Sequence, residues 1–417
     1  MGNKIYLIAL ILLAVKVLVL PFAQPIDADA YSRLILAESW LAEPSFSPSS
    51  QWLPVHFYLL GLGLKIWHNT LLIPALISAL FSSLTVIPLF RFLKSLTTEK
   101  GAFIATVLFA FSPLVFSNSI QGLSMALFIF LFASAIYSLS KSIQNHKWIW
   151  TGMILFALAA LTRYEAWIML PVVGYWLFRS GYRWQWIFLC TAPIIWLIYS
   201  NSINLEGFQW ITDSMNEEMP ISAENRLRRI WFFPFSLFVG FGPILIYAFL
   251  KKGEGEEKNR IFLIPFLYLL TTYLLLSSIG TLLLQHRFTI FLLFLLTPFL
   301  SVKLRTVSIK TLAGALILTI GLSFVYNQKG TKPIPRLHDQ EIIAITDYIK
   351  NKQGSFIIRF IGWEETYYIA RQLKHQGKKI RLYDGENLEG FDYCISYKIE
   401  NATPEFETNK FQIDKIN

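Results

Sequence analysis

The sequence predicts an all-α polytopic membrane protein with a small C-terminal external α/β domain. Hydrophobic residues make up 54% of the 417 residues and aromatic residues 16%. Apolar stretches recur along the chain until about residue 326, after which the composition becomes polar. Recurrent apolar stretches of about 20 residues are typical of bilayer-spanning helices. We therefore predict a transmembrane body over residues 1–326 and an external soluble domain over residues 327–417.

About eleven stretches have the length and apolar composition of a membrane span. The first lacks a small-residue cleavage signal, so we expect it to be a retained helix and not a signal peptide. The predicted spans are residues 5–22, 70–92, 101–119, 121–140, 147–162, 164–178, 184–200, 232–250, 261–280, 288–302 and 308–326.

The short apolar segment Leu53–Trp67 decides the predicted orientation. If it lies in the interface, every basic loop falls on the cytoplasmic side, as the positive-inside rule requires. We therefore predict a multi-pass protein of the plasma (inner) membrane, with a cytoplasmic N-terminus and a periplasmic or extracellular C-terminal domain. The basic clusters assigned to the cytoplasm begin at Arg91, Lys141, Arg179, Lys251 and Lys303.

The first external loop, residues 23–69, is predicted to contain two interfacial helices. Apolar residues from Tyr31 to Leu41 recur at helical spacing, which predicts an amphipathic helix on the outer leaflet. The polar tail alternates between helical and strand patterns. Its predicted helices are residues 339–352 and 364–376, and its predicted strands are residues 355–360, 379–384 and 391–398.

Charge and cysteine content exclude two classes of function. The net charge of +10 is accounted for by cytoplasmic loops that orient the spans, so we expect no nucleic-acid partner. The two cysteines, Cys190 and Cys394, have neither the number nor the spacing of a disulfide framework or a thiolate metal site.

Two carboxylates, Asp27 and Asp29, stand at the membrane edge just before the amphipathic helix. In an extended loop they face the same way, towards a substrate hydroxyl or a cation. Their oxygen atoms suit Mg²⁺ or Mn²⁺, but the motif is short and leaves metal dependence open. The alternative is helix capping, because carboxylates are favoured at helix N-termini.

Two further motifs fall on the same predicted side of the membrane. Arg163 and Glu165 occupy a tight turn in "LTRYEAW", while His286 and Arg287 open a later span. Arginine suits phosphate through its planar donor fork and permanent charge. The alternatives are an Arg–Glu ion pair and cations that snorkel to the interface.

His56 and Lys65 lie on the interfacial segment and are further candidates for binding a substrate phosphate or sugar. The alternative for a lone histidine is an ordinary polar surface position. The chain has six histidines and no histidine-rich cluster of the kind that binds zinc.

The order of these motifs resembles the integral-membrane glycosyltransferases of the GT-C superfamily, especially bacterial relatives of the protein O-mannosyltransferase and aminoarabinose transferase families. The resemblance rests on "DADAY", the amphipathic helix, "WLPVHFYL", "LTRYEAW", "HRF" and the external C-terminal domain, and it covers residues 1–326. One departure is Ala28, because the first-loop motif of the family is often Asp-Glu.

The resemblance implies that a sugar moves, with inversion, from a polyprenyl-phosphate carrier to a glycan, lipid or protein acceptor on the external side. It implies that Asp27 or Asp29 is the general base, and that Arg163 and Arg287 stabilise the departing phosphate. Glu165 would then orient Arg163 or bind a sugar hydroxyl.

Two other functions fit a protein with many spans. A transporter or flippase predicts ionisable residues at membrane depth and matching halves, but the sequence has Lys16 at depth and no evident internal repeat. A lipid-linked polysaccharide polymerase or ligase would share the external arginines without requiring the first-loop acids. A purely structural assembly protein would tolerate the loss of all of these groups.

Overall fold

The fold is mostly helical and ends in a five-stranded sheet. The computed structural model describes residues 4–23, 28–49, 51–70, 72–203, 223–250, 261–279, 281–282, 284–329, 340–359, 363–383, 390–398, 404–408 and 411–416. The helices before the tail are α1 (Lys4–Ala23), α2 (Ala28–Ala42), α3 (Val55–Ile66), α4 (Ile73–Leu84), α5 (Val86–Leu96), α6 (Glu99–Ala110), α7 (Pro113–Asn118), α8 (Met125–Ser142), α9 (Trp148–Ala160), α10 (Glu165–Ile168), α11 (Leu170–Arg179), α12 (Thr191–Ile203), α13 (Ala223–Phe241), α14 (Pro243–Leu250), α15 (Ile264–Ser278), α16 (His286–Lys303) and α17 (Ile309–Lys329). Short 3₁₀ turns precede α12 and α15, at Gln185–Cys190 and Ile261–Leu263.

Among the described residues, four helical segments are long and apolar enough to cross a membrane, namely Ile73–Leu96, Met125–Ser142, Ile261–Ser278 and His286–Lys303. A fifth is added if the bent pair formed by α13 and α14 counts as one span. All of these coincide with predicted spans, and the chain is a membrane protein. The remaining predicted spans are helical along most of their length, but several are divided into two shorter helices.

The breaks in these helices have local causes. Pro113 opens α7, and the extended ψ of Ser112 before it ends the preceding helical run. Between α13 and α14 the chain turns by 98°. Gly242 stands at this bend with a φ of +58°, and a Cβ atom there would lie 2.2 Å from Oγ1 of Thr319. Only glycine combines that backbone angle with that close approach.

Helix α16 forms the buried centre of the body. A Cβ atom at Gly101 would lie 2.1 Å from the carbonyl oxygen of Ser301, so α6 and α16 are in backbone contact. On another face, the ring of Phe291 packs edge-on against those of Phe128 and Phe132, with centroids 4.9 Å apart in each pair. Close packing on several faces fixes the position of α16, and therefore also the position of its first residues.

The tail folds as an α/β unit. It contains α18 (Gln340–Lys350), β1 (Ser355–Arg359), α19 (Trp363–His375), β2 (Lys379–Tyr383), β3 (Tyr393–Tyr397), β4 (Phe406–Glu407) and β5 (Phe411–Lys415), and the strand order is β2-β1-β3-β5-β4. Strand β1 pairs in parallel with β2 and β3, while β5 is antiparallel to β3 and β4. The predicted helices and three strands are present; β4 and β5 were missed, and β4, at two residues, is too short to show an alternating pattern.

Helix α2 lies between the membrane body and the tail. Its Tyr31 and Leu34 share one hydrophobic cluster with Leu64 of α3 and Leu373 of α19. The amphipathic helix was therefore predicted correctly, but the apolar face assigned to the outer leaflet packs largely on protein. Polar contacts hold the same interface, because Nζ of Lys374 donates a hydrogen bond to Oε2 of Glu38.

The Glu38–Lys374 pair is expected to stabilise the junction between α2 and the tail. Because both side chains are about four-fifths buried, at 18% and 25% exposure, Lys374→Glu should cost roughly 1–3 kcal/mol and lower the melting temperature in detergent. The reversed pair, Glu38→Lys with Lys374→Glu, should recover much of this loss. The matched control is Lys398→Glu at the more exposed Lys398–Glu407 pair, where the expected change is below about 1 kcal/mol. If the stability losses of the two single variants simply added up in the reversed pair, the proposed interaction would be contradicted.

Candidate functional site

A cavity of about 510 Å³ lies where α2, the turn after α9, α15 and the start of α16 meet. Its wall combines charged groups with aromatic rings, as expected of a site that receives a polar group attached to an apolar chain. The polar and aromatic residues that line it include Asp29, Arg33, Trp52, Ser124, Arg163, Tyr164, Glu165, Tyr273, Arg287 and Phe288.

The first ion pair in the wall joins Arg163 and Glu165. Nε of Arg163 donates to both carboxylate oxygens at 2.9 and 3.0 Å, and Nη2 donates to Oε1 at 2.7 Å. Nη1 donates to Oγ of Ser124 at 3.2 Å. The two side chains are 11% and 6% exposed. The ion pair weighed as an alternative is therefore present, and it forms a fixed, formally neutral part of the cavity wall.

The second ion pair joins Asp29 and Arg287, which are 258 residues apart in the sequence. Nη1 of Arg287 donates to Oδ2 of Asp29 at 2.5 Å, and the side chains are 15% and 24% exposed respectively. Nε of Arg287 is buried and has no hydrogen-bond partner among the described residues. This guanidinium therefore lines the cavity with one buried N–H donor still unsatisfied among the described residues.

The position of Asp29 agrees with both predictions made for it, a place at a helix N-terminus and a place in a candidate binding site. It lies in the first turn of α2, where the helix dipole favours a carboxylate, and it also lines the cavity. Phe288 stands between the two ion pairs, since its ring centroid is 5.7 Å from the guanidinium carbon of Arg163 and 5.6 Å from that of Arg287. The two pairs therefore belong to one site.

Arg33 is a cavity residue that the sequence reasoning missed. It lies one turn after Asp29 on α2, and its guanidinium stacks on Trp52 at 4.5 Å and approaches Phe57 at 5.7 Å. The spacing of four residues from Asp29 was an available signal, because residues i and i+4 share a helix face. Trp52 lines the cavity as well.

His56 lies on α3, outside the candidate spans, and its side chain is fully buried. Neither ring nitrogen has a hydrogen-bond partner among the described residues. Burial lowers the pKa of His56 well below its ordinary value, and the positive charges of Arg33 and Arg163 act in the same direction. The residue is therefore a neutral imidazole behind the cavity, and not the polar surface residue weighed as its alternative.

Lys65 and His286 are not among the residues lining the cavity. Lys65 is exposed near the end of α3. The Nδ1 atom of His286 lies 2.8 Å from Oγ of Ser236, and its ring packs on Phe232 at a centroid distance of 5.0 Å. This histidine thus helps to join α16 to α13.

The divalent-cation hypothesis rested on Asp27 and Asp29. Asp27 lies outside the described residues, so its place relative to the cavity is not part of this geometry. Within the described ranges, no group of three or more His, Cys, Asp or Glu side chains is arranged to hold a metal ion.

The neutral state of His56 predicts a pH-dependent stability. Its folded pKa is depressed, so the unfolded chain binds the extra proton once the pH falls below about 6.5. The stability contribution is therefore complete above that pH and is lost below it, by up to about 1.4 kcal/mol per pH unit. His56→Gln should flatten the fall in melting temperature between pH 7.5 and pH 5.

The control for this experiment is His68→Gln, because the side chain of His68 is 71% exposed and lies just beyond the same helix. We expect its melting temperature to follow the wild-type pH profile. Parallel profiles for the wild type and His56→Gln would show that His56 is free to take up a proton in the folded protein.

Comparison with known protein families gives one match. Residues 47–203 match the family model described as dolichyl-phosphate-mannose-protein mannosyltransferase. This segment runs from the end of the first loop to α12 and includes His56, Arg163 and Glu165. A search of curated proteins gives no match.

Comparison with solved structures gives matches over most of the chain. ArnT from Cupriavidus metallidurans bound to undecaprenyl phosphate has a TM-score of 0.57 at 11% identity, covering 88% of this chain and 75% of the other. Its apo state gives 0.56 at 12% identity, with the same coverage. AglB, the archaeal oligosaccharyltransferase from Archaeoglobus fulgidus in complex with an inhibitory peptide and a dolichol-phosphate, gives 0.51 at 13% identity, covering 89% of this chain and 64% of the other.

These likenesses concern the fold over most of the chain. The chain spans somewhat less than two thirds of the length of AglB and three quarters of that of ArnT. With the family match, they confirm the predicted resemblance to glycosyltransferases of the GT-C superfamily.

Proposed function

We propose that this protein is an integral-membrane glycosyltransferase that moves a sugar from a polyprenyl-phosphate donor to an acceptor hydroxyl or amine on the external side. The observation that carries the proposal is the meeting of Asp29 and Arg287 in a cavity shared with the Arg163–Glu165 pair. A lipid-linked donor explains why the cavity lies at the end of apolar helices. The acceptor is a glycan, a lipid or a protein.

The reaction requires a base and a stabiliser of the leaving group. The acceptor oxygen or nitrogen attacks the anomeric carbon and gives its proton to Asp29 or Asp27, while the bond from that carbon to the phosphate oxygen breaks. The electron pair leaves with the polyprenyl phosphate, whose charge a guanidinium stabilises in a partly water-excluded site. Attack from the face opposite the phosphate inverts the anomeric centre.

The two arginines are suited to different tasks. Arg163 already donates through Nε, Nη1 and Nη2 to Glu165 and Ser124, so it is fixed and its charge is largely compensated. Among the described residues, Nε of Arg287 has no partner and the side chain makes one hydrogen bond, to Asp29. We therefore assign the donor phosphate to Arg287. A phosphate there competes with Asp29 for the guanidinium and so releases the carboxylate to act as the base.

The first-loop acids also separate the transferase from the alternatives. A polymerase or a flippase needs cations for the lipid phosphate but no general base from the first loop. Asp29 lines the cavity beside those cations, which supports a transferase.

Asp29→Asn should have opposite effects on catalysis and on binding. If Asp29 is the base, transfer from radiolabelled polyprenyl-phosphate sugars should fall by about 10²- to 10⁴-fold. The affinity for sugar-free polyprenyl phosphate should rise, by about tenfold, because an amide competes less well than a carboxylate for Arg287. Arg287→Ala should weaken that binding. Purified protein in detergent serves both measurements.

The matched control is Glu43→Gln, an exposed acid just after the same helix, which should leave both quantities unchanged. Loss of transfer in Asp27→Asn but not in Asp29→Asn would assign the base to Asp27. A parallel reaction with a chelator tests the divalent-cation hypothesis. If the Asp29→Asn and Asp27→Asn variants both stayed active, the assignment of a first-loop base would be overturned. If the wild-type protein transferred sugar from none of the donors, the proposed function would be overturned.

We also propose the membrane arrangement of about eleven spans, with a cytoplasmic N-terminus and an external domain over residues 327–417 in the plasma (inner) membrane. Two contacts support its sidedness. The hydrogen bond between Lys374 and Glu38 joins the tail to the first loop, which carries the cavity residue Asp29. At the far end of the body, Oγ1 of Thr97 donates to the carbonyl of Ser301, so two basic loops lie together.

This arrangement predicts that alkaline phosphatase fused after residue 417 is active in bacterial cells, because that enzyme needs an oxidising external compartment. A fusion truncated after Lys303 should be inactive, since it ends in a basic cytoplasmic loop. The reverse pattern would show that the orientation is the opposite of the one proposed. Equal activities of the two fusions would contradict a membrane span between Lys303 and the tail.

A further inference from the structure

Tyr273 is a second group in the cavity wall with unused hydrogen-bonding capacity. It lies on α15, its side chain is 1% exposed, and it lines the cavity. Its hydroxyl is buried without a hydrogen-bond partner among the described residues. Burying a hydroxyl in this way costs free energy, so an unpartnered one in a cavity wall calls for a ligand to satisfy it.

Aromatic packing fixes the position of this hydroxyl. The ring of Tyr273 packs against Phe233 at a centroid distance of 5.2 Å and edge-on against Phe288 at 6.0 Å. Phenylalanine would make the same ring contacts. The hydroxyl therefore adds nothing to these ring contacts, and it belongs to a residue that lines the cavity.

The charged neighbours of Tyr273 are the members of the neutral ion pair. Tyr273 interacts electrostatically with both Glu165 and Arg163. The carboxylate of Glu165 accepts three hydrogen bonds from Arg163, and a carboxylate has about four acceptor positions. The surroundings of Tyr273 thus offer, among the described residues, one hydroxyl and a remaining carboxylate lone pair beside a guanidinium that is already paired.

We infer that the Tyr273 hydroxyl, with Glu165, binds the sugar of the donor, while Arg287 binds its phosphate. A neutral wall with a donor and an acceptor suits sugar hydroxyls, and the nearby carboxylate disfavours a phosphate. Arg287 offers the opposite environment, with an open donor and a charge that a phosphate can recruit from Asp29. The inference rests on the proposed function and assigns the recognition of the donor sugar to Tyr273 and Glu165.

The test is Tyr273→Phe, which removes one oxygen atom and keeps the ring. For radiolabelled polyprenyl-phosphate sugars, the KM or the dissociation constant of the preferred donor should rise about three- to tenfold, as expected for the loss of one hydrogen bond. The affinity for sugar-free polyprenyl phosphate should stay within about twofold of wild type. The melting temperature without ligand should be equal or higher, because the hydroxyl has no hydrogen-bond partner in the part of the chain that the structure describes.

Tyr268→Phe is the matched control, since Tyr268 lies on the same helix with an exposed side chain, and it should change none of these quantities. If Tyr273→Phe weakened the binding of sugar-bearing and sugar-free polyprenyl phosphate equally, Tyr273 would contact the phosphate and the inference would be overturned. If an active Tyr273→Phe protein kept the wild-type KM and dissociation constant for the donor, this inference would be overturned and the proposed function would stand. A wild-type protein that neither binds nor transfers from any donor would overturn the proposed function, and the inference with it.

Discussion

The site depends on the cost of placing charge beside an apolar membrane body. An isolated charge in such surroundings is expensive, so buried cations and carboxylates persist where they are paired and hydrogen-bonded. Arg163 and Glu165 satisfy this requirement within a single turn of chain. Asp29 and Arg287 satisfy it only when the N-terminal end of α2 reaches the start of α16, so this second pair constrains the fold around it.

The packing of the body meets that constraint from both sides. Close contact between α6 and α16 at Gly101, and the rings around Phe291, give α16 a defined height in the body. On the opposite side, the hydrophobic cluster of the tail and the Lys374–Glu38 bond hold α2 in place. The tail thereby acts on the cavity indirectly, by holding the helix that carries Asp29 and Arg33.

The two arginines Arg163 and Arg287 in the cavity wall differ chemically, and this difference follows from how each is paired. Arg163 is held by Glu165 and Ser124 through all three of its nitrogen atoms, so it cannot turn towards a ligand without losing existing bonds. Among the described residues, Arg287 makes one side-chain hydrogen bond, to the carboxylate of Asp29, and it can exchange this bond for one to another anion. Under the proposed function, the exchangeable Asp29–Arg287 pair would hold the phosphate and release the base, while the fixed Arg163–Glu165 pair would position the sugar.

The sequence alone determined the membrane body, the spans at 70–92, 121–140, 261–280 and 288–302, and most of the tail, because hydropathy and periodicity are local properties of the chain. It also identified Arg163, Glu165, Asp29 and Arg287 as candidates. Tertiary structure decided which of them meet, removed Lys65 and His286 from the cavity wall, and added Arg33 and Tyr273. A pairing across 258 residues, or a hydroxyl left without a partner, depends on how distant helices pack, and no local pattern records it.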